Sequence, residues 1–283
     1  DRASIRRSLQ LVVAALAFVA TTVSALQPYK PLSSTAANWV FLADYSDEFV
    51  GEELDEHKWS RDVVDWGVWS WEPANTRLKD GNLELTVRYQ IHERAGKTLF
   101  YTSGIVKTRA DPILYGYLEA RIQAATRYPG VAPAFWAYRY SPAEWTEIDV
   151  VELTQDRESP RLIDTNTHVF KHPSREPGDA LRERRTWRAP FDPRDGFHVY
   201  GCEWNEQEIK WFIDGHLVAS RPNTYWHQAL DIVVSVGSDR RWTAGQAQTI
   251  CLLEFWSTMC GYGNVPKRLW VALQPIQPIC RAD

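Results

Sequence analysis

From about residue 40 to 240 the sequence predicts an all-β chain built as two stacked antiparallel sheets, a sandwich or jelly roll. Apolar and polar residues alternate there in short runs, with no long helical period. Turn formers such as Asp-Gly and Gly-Asn cut these runs at short intervals, as they do between paired strands. Aromatic residues make up 13 % of the 283, with 14 tryptophans, a composition that excludes a disordered, collagenous or polytopic membrane chain. No repeat, low-complexity tract or linker marks a second domain.

The elements follow in order. Arg2, Arg6 and Arg7 precede an apolar run from Leu9 to Ala20, and Val23-Ser24-Ala25 supplies small residues at cleavage spacing. Residues 1–25 are therefore expected to be a secretory signal peptide and 26–283 a single domain. The run is shorter than the roughly 20 residues of a spanning helix, so the expected mature protein is secreted, extracellular or periplasmic, and free of membrane. Leu83 to Val87 reads as a strand after a turn at Lys79-Asp80-Gly81-Asn82. Tyr117 to Ile122 and Phe197 to Trp204 alternate in the same way, and Ile209 to Ile213 is joined by Asp214-Gly215 to His216 to Ala219 as a hairpin. The segment Lys171 to Arg188 breaks the pattern with Pro, Gly and Arg175, Arg182, Arg184, Arg185 and Arg188. It reads either as a solvated loop or as a groove rim that meets an anionic ligand.

With 32 basic and 36 acidic side chains the formal charge is −4, which excludes the global basic field that gathers nucleic acid. A polyanionic partner would have to be held by local arginines.

The chemistry concentrates in Trp145-Thr146-Glu147-Ile148-Asp149-Val150-Val151-Glu152-Leu153. On a regular strand Glu147 and Asp149 share a face and Glu152 points away. A β-bulge at Val150-Val151 would bring all three to one side. Carboxylates so crowded cannot all ionise cheaply, and at least one pKa must rise. Glycoside hydrolysis needs that pairing of an ionised carboxylate with a protonated one. An exposed edge strand with solvated acids is the plainer alternative.

Glu147-Ile148-Asp149-Val150-Val151-Glu152 resembles the bulged active-site signature of glycoside hydrolase family 16. The resemblance extends to Asp47-Glu48-Phe49, Lys58-Trp59, Tyr115 to Ile122, Pro133-Ala134-Phe135-Trp136 and Phe197 to Gly215, covering about residues 40–243 in order. Within the family, Glu147 to Gln155, Pro190-Phe191-Asp192-Pro193-Arg194 and Tyr225-Trp226-His227 are similar to κ-carrageenases; enzymes on agar, porphyran or furcellaran share much of this.

The resemblance implies a β-jelly-roll of two curved antiparallel sheets with a substrate groove on the concave face. It implies a monomeric, secreted, retaining endo-hydrolase that cleaves β-1,4 bonds of a sulfated red-algal galactan, κ-carrageenan first. Hybrid carrageenan, agar and porphyran are alternatives, and a non-catalytic lectin is the alternative of another class. Glu147 would be the nucleophile, Glu152 the acid and then the base, and Asp149 the group that tunes both. Trp136 and Trp145 are the first candidates for stacking on sugar rings, with Trp66, Trp69, Trp71 and Trp187 behind them. His168 resembles a histidine on the groove face. Arg240 matches a substrate-facing arginine suited to sulfate, with Arg139 and Arg188 as weaker candidates. No cofactor or metal is expected: His168 and His172 stand four apart with no helix and no third ligand, which argues against zinc. The resemblance admits a structural calcium that no spacing here assigns.

The tail departs from the family. Cys251, Cys260, Cys280 and the sole methionine, Met259, all fall late in the chain, where relatives end on a strand reading Val-Asp-Tyr-Val-Arg-Val-Trp. Read two bases later, the degenerate codons of Trp256 to Gly263 allow that run. A frameshift between about Arg241 and Thr249 is therefore expected, making the tail from about residue 245 non-native and costing the chain a strand pairing. A divergent tail that still supplies the closing strand is the alternative.

Overall fold

The computed structural model describes residues 39–66, 69–126, 130–153, 158–238 and 269–273. The expected signal peptide, Arg240, Cys251, Cys260, Cys280 and the proposed frame break lie outside the described residues. The described chain is almost entirely β. Its strands are β1 (Val40–Phe41), β2 (Trp59–Ser60), β3 (Thr76–Lys79), β4 (Asn82–Leu85), β5 (Val87–Arg94), β6 (Lys97–Ser103), β7 (Ile105–Thr108), β8 (Gly116–Ile122) and β9 (Val131–Tyr140). They continue as β10 (Trp145–Glu152), β11 (Leu162–Lys171), β12 (Leu181–Arg182), β13 (Arg185–Arg188), β14 (His198–Trp204), β15 (Glu208–Ile213), β16 (His216–Pro222), β17 (Asp231–Ser238) and β18 (Leu269–Leu273).

Two antiparallel sheets carry the fold. One runs β1-β18-β8-β14-β15-β16, the other β12-β11-β10-β9-β17-β7-β2, with β13 also paired to β11. The hairpins expected from the sequence are present. Asp80 and Gly81 (φ 51° and 67°) turn β3 into β4, and Asp214 and Gly215 (φ 46° and 82°) turn β15 into β16. Two consecutive residues at positive φ match the right-handed strand twist, and Asp-Gly is the pair that tolerates them.

The inner faces meet in one core. Leu118, Ala120, Ile122, Tyr200, Cys202, Trp204, Ile209, Trp211 and Ile213 come from the first sheet. Phe135, Ala137, Ile148, Val150, Val151, Ile163, Val169, Ile232, Val234 and Val236 come from the second. In β10 the core-facing residues are Ile148, then Val150 and Val151 together, so alternation is broken once. The register shows the same break: against β11 it slips between Asp149 and Glu152, and against β9 between Asp149 and Val151. That is the bulge the sequence predicts, and Glu152 returns to the face of Glu147 and Asp149.

Backbone carbonyls at the bulge and beside it find partners in the core. Tryptophans supply them. The Trp211 indole N–H donates to the Asp149 carbonyl at 2.9 Å, and the Trp226 indole N–H lies between the carbonyls of Glu147 (2.9 Å) and His168 (3.1 Å). The Trp204 indole in turn donates to the Trp226 carbonyl at 2.8 Å. All three rings are essentially fully buried.

One reading is corrected: Lys171 to Arg188 is not a plain loop, because β12 and β13 within it pair with β11 and extend the sheet. Within the tail the described strand is β18 (Leu269–Leu273), which lies between β1 and β8, and the stretch from Thr249 to Gly263 lies outside the described residues. Strand pairing is satisfied by any extended segment that reaches the open edge of β8, whatever its side chains.

Replacing Trp211 by Phe keeps the ring and removes the donor to Asp149. Stability should fall by about 1–3 kcal/mol, read as a lower urea midpoint at unchanged slope. An unchanged midpoint would show that this indole bond carries none of the bulge's stability.

Candidate active site

The outer face of the larger sheet is organised in three rows that run across the strands. In the first, Arg182, His168, Glu147, Tyr138 and Asp231 stand side by side on β12, β11, β10, β9 and β17. In the second, Asn166, Asp149, Trp136, Val233 and Lys107 are neighbours. Beyond the bulge, the third holds Thr186, Asp164, Glu152, Ala134 and Ser235. Each acid therefore has an identified cross-strand neighbour on both sides.

His168 places Nε2 3.1 Å from Asp149 Oδ2 and 3.7 Å from Glu147 Oε1. Its ring stacks on Phe170 with centroids 5.2 Å apart, and Phe170 lies 4.4 Å from the Trp145 ring. The Asn166 amide donates to Glu152 Oε2 at 2.9 Å. Asp164, fully buried, takes the Thr186 hydroxyl at 2.5 Å and has Arg184 at 3.7 Å.

Burial raises the Glu147 carboxyl well above the usual carboxylate range, and the charges of Asp149 and Glu152 add to it while Arg182 opposes it. Glu152 is pushed up to about 7, by burial first and then by Asp149 and Asp164, against the Asn166 hydrogen bond and His168. Carboxyls that raise one another in this way share protons as a group rather than titrating one by one. Glu152, pushed up to about 7, is divided between its neutral and ionised forms near neutral pH.

Glu147, Asp149 and His168 also bring three ligand-type atoms within 4.8 Å of one another. These are the groups that crowding and stacking already account for, and we assign them no metal.

The family model for the GH16 domain of beta-porphyranases A–D matches residues 39–251. The chain belongs to glycoside hydrolase family 16. It is 36 % identical over 239 residues to a kappa-carrageenase of Pseudoalteromonas carrageenovora, covering 76 % of this chain and 59 % of that one, so the match spans less than two thirds of that relative. It is 29 % identical over 206 residues to beta-porphyranase E of Zobellia galactanivorans, covering 66 % of this chain and 71 % of the other. The crystal structure of the kappa-carrageenase from P. carrageenovora in complex with an oligotetrasaccharide of kappa-carrageenan superposes with a TM-score of 0.68 at 30 % identity, over 88 % of this chain and all of that one. The architecture is accordingly the family 16 jelly roll, and the row of acids lies on its grooved sheet.

In this family 16 domain the residues expected at the site separate into groups. Glu147, Asp149, Glu152 and His168 are together. Trp145 is half-buried at the start of β10, edge-to-face with Tyr140 and tilted against Phe170 on the acids' face. Trp136 shares that face, but it is 9 % exposed, stacks on Tyr138 at 4.7 Å and donates to Ser235 at 3.1 Å, so it forms the floor. Trp66, Trp69 and Trp71 pack on it as a cluster. Trp69 lies down on β17 because Gly237 has no Cβ; one added there would come 2.6 Å from the indole nitrogen.

One reading is corrected. Trp187 pairs with Ile163, a core residue, and packs against the core and Phe191, since β13 continues the alternation of β11. Arg139 stands opposite Thr146, and its guanidinium comes within 4.0 Å of Asp231 in the first row. Arg188, two residues beyond Thr186 on β13, pairs with Leu162 and faces Glu158 at 3.7 Å. Sequence reasoning offered Arg182 only as one arginine of a possible groove rim, and missed Asn166, Asp164, Phe170 and Tyr138. For those on β11 a signal existed: Asp164, Asn166, His168 and Phe170 alternate at period two.

The raised carboxyls have a stability consequence of definite sign. A group whose pKa climbs from 4.5 to about 7 on folding binds its proton more tightly in the native state. Its contribution is therefore fully present below about pH 4.5 and lost as pH rises through about 7. Glu152→Gln should stabilise the protein at pH 8 by on the order of 1–3 kcal/mol and leave it nearly unchanged at pH 4. Thermal melts at the two pH values check this; a variant less stable at pH 8 would contradict it.

Proposed function

We propose that this chain is a secreted, retaining endo-hydrolase that cleaves internal β-1,4 linkages of a sulfated galactan of the κ-carrageenan type. The observation that carries the reading is the strand that puts Glu147, Asp149 and Glu152 on one face, with Glu152 raised to about 7 as a general acid requires. The 36 % identity to a kappa-carrageenase supports the substrate class. Among the described residues no helix is long and apolar enough to cross a membrane.

In this reaction the Glu147 carboxylate attacks the anomeric carbon while Glu152 gives its proton to the departing glycosidic oxygen, leaving a glycosyl ester and a free sugar hydroxyl. Water then attacks the same carbon, Glu152 takes its proton, and the ester bond to Glu147 breaks. Two inversions leave the configuration retained. Arg182, next to His168 on the groove face, favours the ionised form of Glu147. It also offers a planar fork to a sulfate ester. Trp145 and Phe170 provide apolar surface for the ring faces of sugars.

A second reading has its own support: the matching family model is that of porphyranases, which points to porphyran as the substrate. Product analysis on κ-carrageenan, furcellaran, porphyran and agar separates the two. Glu147→Gln and Glu152→Gln should each lose about 10²-fold or more of the activity on the preferred galactan while melting as folded proteins. Full activity in either variant would overturn the assignment, and an initial product of inverted configuration would overturn the retaining step.

Sulfate recognition is tested separately. Arg182→Ala should raise KM on the sulfated galactan by about tenfold to a hundredfold, and far less on the desulfated polymer. Equal losses on both would make Arg182 an electrostatic partner of Glu147 alone. Arg240→Ala, at the position the family resemblance marks, belongs in the same comparison.

A further inference from the structure

We infer that Asn166 is the positioning residue of the acid/base: by holding Glu152 Oε2 as an acceptor, it leaves Oε1 as the oxygen that delivers and recovers the proton. This deepens the reading above and rests on it.

The geometry sets the argument. Asn166 is paired in register with Asp149, not with Glu152. Because the bulge lies between those two acids, the Asn166 amide reaches along the strand direction and donates to Glu152 Oε2 at 2.9 Å. Asn166 is 7 % exposed and, among the described residues, its Oδ1 has no hydrogen-bond partner. Against the ionised carboxylate of Glu152 only the N–H side of the amide can face Oε2, since the reverse orientation would oppose two acceptors.

An oxygen that accepts an N–H in the plane of its carboxyl is a poor place for a proton. The proton of the neutral acid is thereby assigned to Oε1. A carboxyl free to rotate would spend part of its time with the proton turned away from the glycosidic oxygen, and general acid catalysis depends on that alignment.

The other ionisable groups facing Glu152 do not duplicate this contact. Asp149, on the same strand, and Asp164, on β11, raise its pKa by their charge, and His168 opposes them. Asp164 is occupied from the sheet edge by Thr186 and Arg184. Glu147 adds a further like charge on β10. Asn166 is thus the neutral donor among acids, orienting Glu152 while favouring its ionised form.

The test compares Asn166→Ala and the near-isosteric Asn166→Asp with the wild-type enzyme. On the galactan, which has a poor leaving group, each should lose about 10–100-fold in kcat/KM. On a nitrophenyl glycoside of the matching oligosaccharide, whose leaving group needs no proton, cleavage should fall by no more than about threefold. The basic limb of the galactan profile should move up, because a donor that stabilises ionised Glu152 has been removed. Equal losses on both substrates with an unmoved limb would make Asn166 merely structural and overturn the inference. Titration of the Glu152 carboxyl by 13C NMR needs no substrate: an upward shift in Asn166→Ala supports the contact, and an unchanged titration overturns it. Failure of the wild-type enzyme to cleave any galactan would strike the functional reading instead, and the NMR result would stand apart from it.

Discussion

A strand can hold Glu147, Asp149 and Glu152 on one face only if its alternation is broken, and in β10 the break is the pair Val150-Val151, both turned to the core. The inserted residue has two consequences that cannot be separated. It restores the phase of Glu152, and it interrupts the ladder that would otherwise satisfy the backbone. At the interruption the opposite sheet sends the Trp211 indole through the core to the Asp149 carbonyl, and two residues away the Trp226 indole meets the carbonyls of the register pair Glu147 and His168. The tryptophans of the core are therefore part of the site's construction, although neither of these two touches a carboxylate in a described contact. Hydrophobic burial and backbone satisfaction are met by the same rings, which is an efficient use of a side chain with one donor and a large apolar surface.

The same crowding that makes the acids useful works against folding. Glu152 and Glu147 are raised by burial before any neighbour is counted, so the native state holds protons the unfolded chain would release near neutral pH. The surroundings limit this cost without abolishing it. Asn166 and His168 ease Glu152 down, and Arg182 eases Glu147 down. Each of these comes from β11 or its edge partner β12, so the strand beside the acids is where their protonation is set. The opposite neighbour, β9, contributes Tyr138 and Trp136 instead, which shape the surface and carry no charge at neutral pH.

Much of this was legible in the sequence, and the parts that were not share a physical cause. Period-two alternation, Asp-Gly turns and the position of two adjacent valines between acids are local signals, and the hairpins and the bulge follow them. Orientation on β10 was readable for the same reason. Trp187 is not placed by residue type alone, because it sits one residue out of step with the acids' face. Arg182 was visible only as one arginine among several, since a two-residue strand has no periodicity to read. Asn166 has an ordinary strand sequence around it, and its meaning depends on which side of the bulge its partner lies. The pairing of Leu269–Leu273 with β8 is a contact between distant parts of the chain, and nothing local announces it.

The two sides of the acid strand are also held by different forces. Toward β11 and β12 the arrangement is backbone register, with Arg221 bridging to Glu183 at 2.6 Å and lying over the Trp226 ring. Toward β9 and β17 the surface is the cluster of Trp66, Trp69, Trp71 and Trp136, much of it carried by a segment without regular strands. That segment is tied to the β5–β6 hairpin by Arg94, which pairs with both Asp65 and Glu72, and by His92, whose Nε2 lies 3.0 Å from Ser70 Oγ. Asp65 in turn accepts the Trp71 backbone N–H at 2.8 Å. Exposed ion pairs weaken with salt, whereas a strand ladder does not. Ion pairs brace both flanks of β10, while the position of the carboxyls relative to one another is fixed by β10 itself.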